Sequence, residues 1–114
     1  MPKKVYRVGI YARLSKEDTD RLESNSITSQ RAMCQAYIES HDDLVLVDTY
    51  IDDGFTGTNM ERPEFQRMLQ DMREGRIDCA ISKDLSRFSR NYIEAGNYLE
   101  KIFPAMGIRY ISIN

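Results

Sequence analysis

The chain has 114 residues and a formal net charge of −2, from 16 Lys and Arg against 18 Asp and Glu. That length suits one domain or a piece of one, and 41% hydrophobic residues suffice for a core. The acidic balance excludes a domain that grips nucleic acid mainly by bulk charge, and no apolar run approaches the ~20 residues of a membrane span.

The start, Met1-Pro2-Lys3-Lys4, lacks the apolar stretch of a signal peptide, so the expectation is a soluble, cytoplasmic protein with no membrane partner. Cys34 and Cys79 lie far apart, in no C-x-x-C motif and beside no histidine cluster. They read as two buried thiols rather than a zinc site. Of the basic residues eleven are Arg and five Lys. Arginine is the side chain suited to bidentate recognition of phosphate or carboxylate, so its placement matters more than its number.

In chain order, Val5 to Arg13 reads as a first strand, with Val8, Ile10 and Ala12 on one face. Leu14 to Asn25 is polar and reads as a loop. A helix is predicted from about Ser26 to Ser40, with Asn25 or Ser26 as N-cap. Leu44 to Ile51 is a second strand, and Asp52 to Arg62, with two glycines and no apolar period, is a second loop. Pro63 suits the first turn of a helix in which Phe65, Met68, Leu69 and Met72 share a face, and Gly75 ends it.

Ile77 to Ser82 is a third strand, followed by the polar, basic stretch Lys83 to Asn91. Tyr92, Ala95, Leu99, Ile102, Phe103 and Met106 then keep helical spacing up to Gly107, and Ile108 to Ile113 is a fourth strand. This alternation predicts an α/β fold: a mostly parallel central sheet of about four strands with helices on both faces. Ending on a strand fits either a truncated domain or a sheet whose last strand is terminal.

Ligands of such sheets bind beyond the carboxyl ends of the strands. The three loops leaving that edge supply Arg13 and Ser15, then Thr56 and Arg62, then Lys83, Ser86, Arg87 and Arg90. Four arginines, a lysine and several hydroxyls at one edge of an acidic domain suit a phosphate. An acyl-transfer triad is excluded: the one histidine, His41, falls at the opposite edge, and no G-x-S-x-G elbow is present. A serine attacking a phosphodiester needs guanidinium groups to stabilise charge developing on phosphorus, and no base for its proton is obvious. Taken singly, Ser15 reads equally as a turn or cap serine, and Arg87 or Arg90 as a solvated basic first turn. A basic first turn opposes the helix dipole, which suggests an anionic ligand there. Asp52, Asp53 and Asp84 lie at the same edge and permit a rival, an Mg²⁺-dependent phosphotransferase, although no D-x-D spacing occurs.

The segments "YARLS", "DDGFTGTNMERPEFQRML" and "KDLSRFSRN", in that order and spacing, resemble the catalytic domain of the serine recombinases, the resolvase/invertase family. The match is nearest to the large members that move transposons and integrate phage genomes, and it spans nearly the whole chain. The resemblance implies that Ser15 attacks a DNA phosphate to give a 5′-phosphoserine link, with Arg13, Arg62, Arg87 and Arg90 activating the phosphate. Gln30 and Thr56 fall at supporting positions. It implies no metal or nucleotide cofactor, double-stranded DNA as partner through the full-length protein, dimers and tetramers of that protein, and a place at the bacterial nucleoid.

The family's aspartate before the paired arginines is replaced here by Ser86, with Asp84 two residues earlier. Members of the family carry a long dimerisation helix after this region, and the large ones further domains. The resemblance therefore implies that residues 1–114 are an N-terminal catalytic domain without the long dimerisation helix and the DNA-binding domains. The alternatives left open are the Mg²⁺ enzyme and a non-catalytic association module.

Overall fold

The computed structural model describes residues 4–14, 27–53, 62–85 and 92–113. The elements are β1 (Tyr6–Leu14), α1 (Ile27–Glu39), β2 (Leu44–Asp53), α2 (Pro63–Arg73) and β3 (Cys79–Ser82). A helical rod follows, made of α3 (Tyr92–Asn97), a π turn (Tyr98–Ile102) and α4 (Phe103–Met106), and then β4 (Arg109–Ser112). The strands form one sheet in the order β2-β1-β3-β4, with every pairing parallel. Parallel neighbours need crossover helices, and right-handed crossovers in this order put α1 on one face and α2 with the rod on the other.

Each face has its own core. Cys34 and Ile38 of α1 meet Val8, Ile10, Leu44, Cys79, Ile81 and Ile111. Phe65, Met68, Leu69 and Met72 of α2 meet Tyr11, Tyr50, Ile77, Ala80 and Phe103 on the other side. Burying each large apolar side chain contributes about 1.5–3 kcal/mol, which holds the polar-surfaced helices to the sheet. Both thiols are unpaired and buried, and burial pushes each up to about 12.

Strand β2 carries a bulge that its residue pattern does not announce. Val8 pairs with Leu46, but Gly9 pairs with Asp48, so Val47 is an extra residue. Alternation therefore changes phase: Leu44 and Leu46 face α1, whereas Tyr50 joins the core under α2. Gly9 is required beside the bulge, because a Cβ there would lie 2.7 Å from Tyr50 Cε2 and 2.9 Å from Ile77 Cδ1.

The rod predicted as one α-helix contains a π turn in its middle. The Phe103 N–H bonds to the Tyr98 carbonyl, five residues back, and Pro104 follows with no N–H to give. Widening by one residue absorbs the proline that would otherwise break the ladder. The rod ends at Gly107 (φ 71°), where Gly107 N–H reaches the Pro104 carbonyl (3.2 Å) and Ile108 N–H the Phe103 carbonyl (2.9 Å). Ile108 and Phe103 share a core, which completes a Schellman stop at the predicted residue.

His41 lies past α1, at the edge away from the strands' carboxyl ends, stacked on Tyr37 at 4.2 Å with Nδ1 2.8 Å from the Tyr37 carbonyl. Among the described residues no helix is long and apolar enough to cross a membrane.

Candidate active site

The order β2-β1-β3-β4 places the topological switch between β1 and β3, since the crossovers leaving these neighbours cover opposite faces. Arg13 is the penultimate residue of β1, at its carboxyl end. The β1–β3 ladder stops at Ile10–Ile81, so the peptides of β1 beyond that point need another partner on the β3 side. The fully buried Gln30 of α1 supplies it. Its Nε2 donates to the Arg13 carbonyl (3.0 Å) and its Oε1 accepts the Arg13 N–H (3.2 Å), as a neighbouring strand's peptide would. An amide is the side chain that offers a donor and an acceptor together.

Arg13 pairs in register with Asp52 of β2. Asp52 is 3% exposed. Its Oδ1 accepts the Glu64 N–H (3.0 Å), and its Oδ2 accepts the Phe65 N–H (3.0 Å) and the Tyr11 hydroxyl (2.7 Å). Helix α2 has no side-chain cap of its own. Asp52 caps it from the sheet, satisfying orphan donors and placing a carboxylate against the positive end of the helix. Burial, then the bond to Asp52, raises the Tyr11 hydroxyl well above its ordinary value, while the positive charges of Arg62 and Arg13 pull it the other way.

Arg62 occupies the N-cap position of α2 with φ 51°, the one positive φ among the described non-glycine residues. The following Pro63 disfavours the right-handed helical region for its neighbour, and the left-handed alternative costs about 1–2 kcal/mol. The guanidinium lies over the Phe65 ring at 4.0 Å, and Nη2 donates to Glu94 Oε1 at 2.6 Å. Tyr11 packs edge-on against the other part of this cluster through Phe65 (5.3 Å), and Phe65 against Tyr98 (5.3 Å).

At the end of β3, Ser82 Oγ donates to the Asp84 carbonyl (3.0 Å), which leaves it to accept from the Tyr110 hydroxyl at 2.5 Å. Burial pushes the Tyr110 hydroxyl up to about 12. These bonds fix the start of the third loop, where Lys83 and Asp84 are half-buried.

Of the sequence-predicted site residues, Arg13, Gln30 and Arg62 come together at the carboxyl edge, and Lys83 and Asp84 leave the end of β3 at that edge. Ser15, Thr56, Ser86, Arg87 and Arg90 lie outside the described residues, as does the side chain of Asp53. The Mg²⁺ alternative loses one of its three carboxylates: both Asp52 oxygens are taken by N–H and O–H donors. Among the described residues no group of three or more His, Cys, Asp or Glu is placed to hold a metal ion.

Sequence reasoning missed Asp52 as a cap, Tyr11 as its partner and Glu94 as the partner of Arg62. One signal existed for the first: Glu61-Arg62-Pro63 opens a helix with no Ser, Thr, Asp or Asn at the cap, so the cap had to come from elsewhere.

The family model "Resolvase, N terminal domain" matches residues 8–114. A Bacillus subtilis (strain 168) protein, named provisionally as a DNA recombinase, is 35% identical over 83 residues, which is 73% of this chain. The chain spans only 16% of that protein's length. The crystal structure of the N-terminal catalytic domain of TP901-1 integrase superposes with a TM-score of 0.79 at 30% identity, covering 95% of this chain and 78% of that one. A resolvase family site-specific recombinase from Streptococcus pneumoniae gives 0.78 at 27% identity, covering 95% and 72%.

Proposed function

Because the chain belongs to the resolvase N-terminal domain family of serine recombinases, we propose that it is the catalytic domain of a site-specific DNA recombinase whose nucleophile is Ser15. The hydroxyl oxygen of Ser15 forms a bond to a DNA phosphorus, and the bond from that phosphorus to the 3′ oxygen breaks. The serine proton ends on the leaving 3′-hydroxyl, and the phosphate stays on Ser15 as a 5′-phosphoserine. Attack by a 3′-hydroxyl from another duplex reverses these steps and rejoins the strands, so bond energy is conserved without a nucleotide.

The observation that supports this reading is the placement of two arginines at one sheet edge. Gln30 fixes the Arg13 peptide near the end of β1, and Arg62 opens α2 with its guanidinium held by the Phe65 ring and the Glu94 carboxylate. Guanidinium groups held in place can stabilise charge on a pentavalent phosphorus, and one well-placed arginine is worth about 10³ or more in rate. Arg87 and Arg90 complete the set in this reading, with Thr56, Lys83, Asp84 and Ser86 as supporting groups. Double-stranded DNA is engaged by the larger protein, working as dimer and tetramer at the nucleoid, and the reaction needs no metal.

The test is cleavage of end-labelled cognate DNA by the full-length protein in EDTA. The reading expects a covalent protein–DNA complex under those conditions. Cleavage that appears only when Mg²⁺ is restored would overturn it.

A further inference from the structure

Glu94 lies in the first turn of α3, and its carboxylate holds the Arg62 guanidinium at 2.6 Å. Both side chains are nearly enclosed, at 7% exposure for Arg62 and 18% for Glu94. An enclosed ion pair adds little net stability, because desolvation of the two charges offsets most of their attraction. What it does supply is a fixed direction. Arg62 is already constrained at its backbone by the left-handed N-cap conformation and along its plane by the Phe65 ring at 4.0 Å. The carboxylate adds the remaining constraint, at the tip. A long side chain with many rotamers is thereby reduced to one placement, at the start of α2 on the carboxyl edge of the sheet. In sequence the pair joins the residue that closes the second loop to one four residues past Arg90, so it ties two of the three site loops together.

We propose that Glu94 is a positioning residue for Arg62: its carboxylate aims the guanidinium at the scissile phosphate before DNA arrives. The proposal rests on the recombinase reading above. In this proposal Glu94 acts through Arg62 rather than on the reacting atoms. Pre-organisation of this kind matters because a misplacement of about 1 Å at a reacting centre costs roughly 100-fold in rate.

The test uses the full-length protein and its cognate DNA, with single-turnover formation of the Ser15–DNA adduct as readout and gel shift as the measure of DNA binding. Glu94→Gln keeps an oxygen acceptor, and Glu94→Met fills the same space without one; both conserve volume, which cores tolerate best. Glu94→Met is expected to slow adduct formation roughly 10- to 100-fold with DNA binding unchanged, and Glu94→Gln to recover most of the rate. Glu94→Met added to Arg62→Met is expected to be no slower than Arg62→Met alone. A Glu94→Met protein that cleaves at the wild-type rate or faster would overturn the proposal while leaving the recombinase reading intact. So would an equal further loss in the Arg62→Met background. A wild-type protein that forms no adduct on Ser15 would overturn the recombinase reading and this inference with it.

Discussion

The side-chain amide of Gln30 grips the peptide of Arg13 at both of its hydrogen-bonding groups, donating to the carbonyl at 3.0 Å and accepting from the N–H at 3.2 Å. This one residue of α1 therefore takes the place of a neighbouring strand where the β1–β3 ladder has ended. It fixes the strand end from which the first site loop departs. Gln30→Ala leaves a buried donor and a buried acceptor unmet and is expected to lower stability by about 2 kcal/mol. Gln30→Glu keeps the acceptor but sets a carboxylate against the Arg13 carbonyl, so it should be at least as damaging. Urea unfolding of the three proteins checks the order, and a Gln30→Glu protein as stable as wild type would contradict the clamp.

Asp52 and Tyr11 divide cap and support. Tyr11→Phe removes one of three donors to Asp52 and is expected to cost about 1 kcal/mol. Asp52→Ala strips the cap from α2 and strands the Tyr11 hydroxyl, so about 2 kcal/mol or more should be lost. Thermal unfolding of both variants, with and without Mg²⁺, is the measurement. Mg²⁺ should change neither midpoint, and a metal-dependent rise that Asp52→Ala abolishes would return that carboxylate to metal binding.

Acid should weaken the fold through Arg67. Its guanidinium hydrogen bonds Asp48 (2.9 Å) and Glu64 (2.8 Å) and holds both carboxyls below their ordinary values of 3.8 and 4.5. Each group binds fewer protons folded than unfolded near those values. Its contribution is therefore complete above the ordinary value and is lost as pH falls through the lower, folded one. All three side chains are partly exposed, so the effect is modest and screened by salt. Unfolding midpoints followed from pH 6 to about 3 should fall less steeply in Asp48→Asn than in wild type.

How much of this was legible in the sequence follows from which contacts are local. Alternation in β1 placed Val8 and Ile10 on one face, and the spacing of Phe65, Met68, Leu69 and Met72 gave the buried face of α2, because those patterns record burial directly. The bulge at Val47 was not legible: inserting one residue leaves an apolar run that looks continuous, and the change of phase shows only against β1. The π turn was hidden for a related reason, since the rod's apolar spacing survives a one-residue widening and Pro104 alone marked the place. At the site, the rule that ligands gather at the carboxyl edge brought Arg13 and Arg62 together. The role of Gln30 rested on the family resemblance, and Asp52 and Glu94 act across long sequence separations that no local pattern records.

Gly9 offers a test of the bulge. A methyl group there meets the Tyr50 ring at 2.7 Å and Ile77 at 2.9 Å, both in the core. Gly9→Ala is expected to cost about 1–3 kcal/mol by overpacking. Paired with Tyr50→Leu, which clears the ring, the Gly9 change should cost measurably less, and a double-mutant cycle with no coupling would place the close approach elsewhere.

The central claim is the identity of the nucleophile. The most direct measurement is peptide mass spectrometry on the covalent complex that the full-length protein forms with cognate DNA in EDTA. The account predicts a nucleotide attached through its 5′-phosphate to Ser15, and no complex at all from a folded Ser15→Ala protein. An adduct on another residue, or unchanged cleavage by Ser15→Ala, would contradict it.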